Sequence, residues 1–347
     1  MATETILVTG ANGYLALHII QQALAKGWNV VGTVRSSRSG SKVTSLFPDA
    51  GSQLSLVEVS DITQASYYEA AFKGRNITAV INAASPLVHD AKDQKTEVVD
   101  PAINSAIAIL TAAQACGGPA LKRVVHVGSF IETMDPGLGE APGRTYTPAD
   151  WNPVTYEEAV KGGETEAYMG SKVLAERAMW EFVSREQPAF DLVTILPAAI
   201  FGPHMGRVDL NHLNVSSHML WELPAPSGNP SPYNSRHLGA WIDVRDTARA
   251  LLRAVETPEA GGQRLLAAQR THWQFVRDAA RQINDELRRR IDPGTPGAGE
   301  AARHTTYDVD GSKLERTLNM QYTPLFDSMR DSYEQLLEAE KNQKAAA

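Results

Sequence analysis

The first half of the chain alternates short, nearly continuous apolar runs with longer stretches of helical period. The runs fall at 6–9, 30–34, 54–59, 79–82, 124–127 and 192–196. Apolar side chains on successive rather than alternate positions indicate strands buried on both faces, as in a parallel sheet. Between the first two runs, Leu15, Ile19, Ile20, Ala23 and Leu24 recur at helical spacing. Gly27 follows, where a helix end favours a residue at positive φ. Strands alternating with helices predict an α/β fold: a Rossmann-type doubly wound parallel sheet with a smaller C-terminal substrate lobe.

The second half is punctuated differently. Residues 134–155 carry four prolines and three glycines and read as a long loop. Residues 202–237, with Pro203, Pro224, Pro226, Pro230 and Pro232, read as a lobe with little regular structure. A third Pro/Gly-rich stretch, 292–303, reads as a connection to the last helices. Long loops in compact domains tend to be lids or binding surfaces. The expected organisation is a nucleotide-binding domain over 1–200 and a mainly substrate-binding lobe with C-terminal helices over 201–347. Segments at about 238–270 would return to the first domain. Among them, 243–254 reads as a helix with an acidic first turn.

Composition narrows the classes. The chain has 347 residues, 43% hydrophobic and 21% charged, which suits an ordinary globular protein. A net charge of -7 gives no overall attraction to nucleic acid or anionic membrane, so any bound phosphate needs a local site. Cys116 is the single cysteine and excludes an internal disulfide. Nine histidines without close ligand spacing give no reason to expect a metal. No basic-then-apolar leader opens the chain, and no run of about 18 apolar residues occurs. A cytoplasmic protein, monomer or homodimer, acting on a small molecule is the expectation.

Candidate chemistry begins at the first strand. Gly10, Asn12, Gly13, Tyr14 and Leu15 form a strand–glycine turn–helix passage. Gly10 permits the tight turn, Gly13 lets a pyrophosphate approach the backbone, and the helix N-terminus supplies free amides. The second strand ends in Arg35 and Ser36 with no acidic residue to take the adenosine ribose. A guanidinium there suits the 2′-phosphate of NADP(H), against the plainer reading of an exposed loop arginine. Asp61 and Ile62 after the third strand suit the adenine, or simply open the next helix. Ala83, Ala84 and Ser85 close the fourth strand with small side chains that let a cofactor pass.

Tyr168 and Lys172 stand four apart and share a helix face. A tyrosine hydroxyl ordinarily titrates near about 10, and a neighbouring ammonium favours its phenolate, so such a pair suits proton transfer to a carbonyl oxygen. Lys172 is also suited to the nicotinamide ribose. Ser129, just past the fifth strand, would be a second donor. A Tyr–Lys pair alone is also what a solvated helix face carries. The glycine turn upstream and a strand-end serine 39 residues before the tyrosine make the set specific.

These segments resemble the extended short-chain dehydrogenases/reductases, and within them fungal carbonyl and aldehyde reductases related to plant dihydroflavonol and cinnamoyl-CoA reductases. The likeness is carried by Val8-Thr-Gly-Ala-Asn-Gly-Tyr14, Val34-Arg-Ser36, Asn82-Ala-Ala-Ser-Pro86, Asp150-Trp-Asn-Pro-Val-Thr-Tyr156, Tyr168-Met-Gly-Ser-Lys172, Leu196-Pro-Ala198, Phe201-Gly-Pro203 and Ile242-Asp-Val-Arg-Asp246. The resemblance implies a Ser129–Tyr168–Lys172 triad. It implies NADP contacts at Gly10, Gly13, Arg35, Asp61, Ala84 and Pro197, with Ala199 and Ile200 beside them. Asn104 is the candidate for an assisting asparagine. Two departures, Gly128 where relatives often have Ser or Thr and Ala198 where many have Gly, border the substrate side. Pro86, Leu87, Phe130, Ile131, Phe201, Met205, Met219 and Trp221 are the pocket candidates, although core packing is the better reading for any one of them taken singly. As a set they suggest an apolar carbonyl substrate. Competing readings are a sugar-nucleotide epimerase, a sterol-type dehydrogenase and a non-catalytic NADP-binding sensor.

Overall fold

The structure, a computed structural model, describes residues 4–86, 90–224 and 238–346. Seven parallel strands form the main sheet: β1 Thr5–Val8, β2 Asn29–Val34, β3 Leu54–Glu58, β4 Ala79–Asn82, β5 Arg123–Val127, β7 Asp191–Pro197 and β10 Arg264–Ala267. Their spatial order is β10-β7-β5-β4-β1-β2-β3. The order reverses beside β1, so a crevice opens at the carboxyl ends of β1 and β4, where such sheets bind ligands. Residues such as Ile6, Val80, Val125 and Ile195 have no exposed surface, because helices cover both faces.

On one face the helices Tyr14–Ala25 and Val244–Glu256 pack together over the sheet. The first ends as its glycine demands: Gly27 has φ +75°, Trp28 N–H donates to the Ala23 carbonyl and Gly27 N–H to that of Leu24. The second is capped by Asp243, which accepts from Arg245 N–H. On the other face lie the helices Asp100–Cys116 and Glu164–Glu186. The helical stretch Lys95–Cys116 is long and apolar enough to cross a membrane by length and composition. Of its apolar residues, Ala106, Ile109 and Leu110 are buried in the second core cluster with Met179 and Phe182.

A smaller sheet joins β8 Ala199–Phe201, β9 Ala240–Asp243 and β11 Gln269–Arg270. It leads into a third core where Phe201, Trp241 and Val276 meet Tyr333 and Leu336 of the helix Leu325–Ala346. Two segments are more regular than their proline and glycine content suggests. Within 134–155, β6 Thr145–Tyr146 pairs in parallel with β12 Asp308–Val309. Within 202–237 there is a helix, Val215–Glu222, and its stretch from 207 to 223 contains neither Pro nor Gly. Residues 225–237 of that lobe lie outside the described residues.

Candidate active site

The glycine turn sits at the end of β1. Gly10 has φ +66°, and a Cβ there would come within 3.2 Å of the Ala84 Cβ and 3.3 Å of its Cα. The turn therefore presses against the end of β4 as only glycine allows. Gly13 N–H donates to the Gly10 carbonyl at 2.8 Å, and Gly13 is the N-cap of Tyr14–Ala25. That helix has neither a side-chain cap nor an acid in its first turn, so its leading amides point at the crevice without an internal anion. Asn12 is exposed and Leu15 half-buried beside it. The Tyr14 hydroxyl donates instead to the Gly202 carbonyl at 2.7 Å, tying the helix to the loop after β8.

Polar side chains at the strand ends brace this turn. Ala84 N–H donates to Thr9 Oγ1 at 2.9 Å, Thr9 Oγ1 to Asn82 Oδ1 at 2.8 Å, and Asn82 Nδ2 lies 3.1 Å from His126 Nδ1. Burial pushes the His126 imidazole down to about 4, so it is neutral and accepts from Asn82. The chain links β1, β4 and β5. Its only sequence signal was three polar residues in otherwise apolar strands.

At the end of β2, Arg35 and Arg38 are exposed, and neither makes a hydrogen bond or ion pair among the described residues. Ser36 caps the helix Ser37–Leu46, accepting from Ser39 N–H. The sequence reading missed Glu58 at the end of β3, which accepts from Ser37 N–H at 3.1 Å and adds one negative charge beside the two arginines. Asp61 accepts from Thr63 N–H and Oγ1, and these bonds hold its carboxyl below the usual range. Ile62 packs against the second core.

Tyr168 and Lys172 lie on Glu164–Glu186. Tyr168 is 37% exposed, and its hydroxyl makes no hydrogen bond among the described residues. Lys172 Nζ donates to Ser85 Oγ at 3.0 Å and lies 6.0 Å from the Tyr168 ring centre. The end of β4 and the Tyr–Lys helix are thus joined. Ser129 follows β5 and caps the tight turn Phe130–Glu132, its Oγ accepting from Ile131 N–H at 3.4 Å. Its own O–H remains available to donate. Ala83 and Ala84 are half-buried, Pro197 is buried at the end of β7, and Ala199 and Ile200 begin β8 half-buried. Asn104 is exposed on Asp100–Cys116.

The pocket candidates separate. Pro86, Ile131, Met205 and Met219 are half-buried. Phe130 is buried among Tyr146 and Tyr307, and Phe201 has no exposed surface and stacks on Trp241, so the structure places both in core packing. Trp221 carries the Arg290 guanidinium 5.5 Å from its ring centre. Leu87 lies outside the described residues.

A family model described as the NAD dependent epimerase/dehydratase family matches residues 6–267. The chain belongs to that family. Within it, this extended short-chain dehydrogenase/reductase is similar to fungal reductases over nearly its whole length. It is 30% identical over 342 residues, 97% of this chain and 99% of the relative, to the NADPH-dependent methylglyoxal reductase GRE2 of Saccharomyces cerevisiae. It is 32% identical over 339 residues, 96% and 98% of the two chains, to ketoreductase azaE of Aspergillus niger. The solved structure of yeast methylglyoxal/isovaleraldehyde reductase Gre2 complexed with NADPH matches with a TM-score of 0.89 at 30% identity, covering 97% of this chain and 99% of that one.

Proposed function

We propose that this protein is an NADPH-dependent carbonyl reductase that converts a hydrophobic ketone or aldehyde to the alcohol. The observation that carries the reading is the placement of Lys172 between the Tyr168 ring and Ser85, at the strand ends beside the glycine turn. The names of its fungal relatives point the same way. The side-chain-free turn at Gly10 and Gly13, the uncapped helix and Arg35, unpaired among the described residues, fit a dinucleotide bearing a 2′-phosphate.

When bound, NADPH supplies the hydride. The chain's own residues do the rest. Tyr168, whose hydroxyl is unbonded among the described residues, gives the proton to the carbonyl oxygen. Lys172 places a positive charge beside that phenol and reaches the ribose side of the crevice. Ser129 donates a second hydrogen bond to the same oxygen and orients it. Asp61 and Ile62 flank the adenine, while Pro197, Ala199 and Ile200 line the nicotinamide end. Half-buried Pro86, Ile131, Met205 and Met219 supply an apolar wall, and thioether side chains adapt to varied shapes. Residues 208–235 contain no Lys or Arg, which disfavours a polyanionic substrate such as a sugar nucleotide or a coenzyme A thioester. The test is NADPH oxidation across aryl and alkyl ketones, aldehydes, diketones, a UDP-sugar and a coenzyme A thioester. Turnover confined to the last two would sink the substrate reading.

A further inference from the structure

Behind the candidate triad lies a buried acid pair that none of the chemistry above uses. Glu132, three residues after Ser129, has no exposed surface, and neither of its carboxyl oxygens receives an N–H or O–H among the described residues. It faces Glu176, also without exposed surface and one helical turn beyond Lys172. Glu176 is richly supplied. Arg264 Nε and Nη2 donate to its carboxylate at 2.9–3.0 Å, Thr194 Oγ1 at 2.6 Å and Trp180 Nε1 at 3.2 Å.

Two adjoining buried carboxylates cannot both stay ionised, and the proton goes to the one without donors. Burial pushes the Glu132 carboxyl well above the usual carboxylate range, and the Glu176 charge adds to this. Burial opposes ionisation of Glu176, but the Glu132 carboxyl beside it and the donors of Arg264 and Thr194 prevail and hold it low. The charged and titratable groups around the pair are Arg264 from β10, Lys172 from the same helix as Glu176, and His126 from β5, which burial keeps neutral.

The pair also accounts for Gly128. A Cβ on Gly128 would meet Glu132 Oε2 at 2.6 Å, Oε1 at 2.9 Å and Leu196 Cδ2 at 2.6 Å. The acid therefore occupies the space that a side chain before Ser129 would fill. The backbone around it is held as well: Glu132 N–H donates to the Ser129 carbonyl, and the Glu132 carbonyl accepts from Asn152 N–H and Arg264 Nη2.

We propose that Glu132 is a neutral carboxylic acid that donates its proton to the Glu176 carboxylate and so clamps the turn bearing Ser129 to the helix bearing Tyr168 and Lys172. It is a positioning residue, and its effect on turnover rests on the carbonyl-reductase reading. Three measurements test it. Infrared difference spectra between wild type and E132Q at neutral pH, without cofactor or substrate, should show the C=O stretch of an unionised carboxylic acid in wild type only. Its absence overturns the proposal even if the protein reduces no carbonyl. With the best ketone of the panel, E132A should lower kcat at least about tenfold, with KM for NADPH within about twofold, because a displaced catalytic group costs rate steeply. E132Q, still a neutral donor to Glu176, should keep kcat within about threefold. Equal damage in both variants, or a loss confined to NADPH binding, refutes the clamp. Gly128→Ser should displace the acid and lower kcat, while the double variant G128S/E132A should recover above either single. Losses that merely multiply would mean the two positions are not one unit.

Discussion

Replacing Arg35 with Asp probes the cofactor reading at a site where the protein itself has little to lose. The side chain is exposed and makes no hydrogen bond or ion pair among the described residues, so folding stability should hold within about 0.5 kcal/mol. A charge-assisted hydrogen bond to a phosphate is worth about 1.5–3 kcal/mol, and each 1.4 kcal/mol is tenfold. Loss of that bond alone should lower kcat/KM for NADPH by about 10- to 150-fold. The new carboxylate would also repel the 2′-phosphate while accepting from an unphosphorylated ribose, so NADH should gain or hold. Arg38, exposed in the first turn of the helix Ser37–Leu46, sets a floor by keeping one positive charge three residues away. Glu58 supplies the opposite arm of the experiment. Glu58→Gln removes the negative charge beside Ser37 N–H and should improve NADPH over NADH by about two- to fivefold, the scale of an exposed charge interaction. The assay is initial-rate kinetics with both cofactors at fixed ketone, with thermal melts to check the fold. A ratio of catalytic efficiencies that moves less than about threefold in Arg35→Asp would remove Arg35 from the phosphate site.

Tyr168→Phe should cost at least about 100-fold in kcat while leaving Tm and NADPH affinity in place, because the hydroxyl lost has no hydrogen-bond partner among the described residues; near-normal turnover would reassign the proton donor. Phe201→Ala should destabilise by about 3–5 kcal/mol in urea titrations rather than widen substrate scope, since the ring is fully buried against Trp241; a stable variant accepting larger ketones would place Phe201 in the pocket instead. His126 and His204 are both held down to about 4, chiefly by burial, so each binds a proton more readily when unfolded. Stability should therefore fall as pH drops from about 6.5 towards 4, by of order 3 kcal/mol per histidine at the acid end. Urea midpoints at pH 7 and pH 5 measure it, and His204→Asn should flatten the slope; an unchanged slope would refute the assignment for that residue.

The parallel sheet could be read directly from the chain because a strand buried on both faces must be apolar at most of its positions. The runs around Ile6, Val30, Val80, Val124 and Leu192 meet that requirement locally. The glycine turn is equally local: the positive φ of Gly10 and the bare approach at Gly13 are demands on single residues, and the helix after them carries its own period. Tyr168 and Lys172 are neighbours by helix geometry alone. Other features depended on partners far apart in sequence. Strand β10 is a strand because Arg264–Ala267 finds the free edge of β7, and β6 exists because Asp308 and Val309 reach it. Phe201 could be read as core or pocket from the chain, and only its stacking on Trp241 sets it in the core. Glu58 came to lie against Ser37 at the end of β2 only when β3 was laid beside β2. Thr9, Asn82 and His126, like Glu132, Glu176 and Arg264, are polar groups whose meaning lies in which buried donor meets which acceptor. Apolar burial is non-directional and leaves its mark along the chain, whereas a buried hydrogen bond is specified by the packing that brings its two ends together.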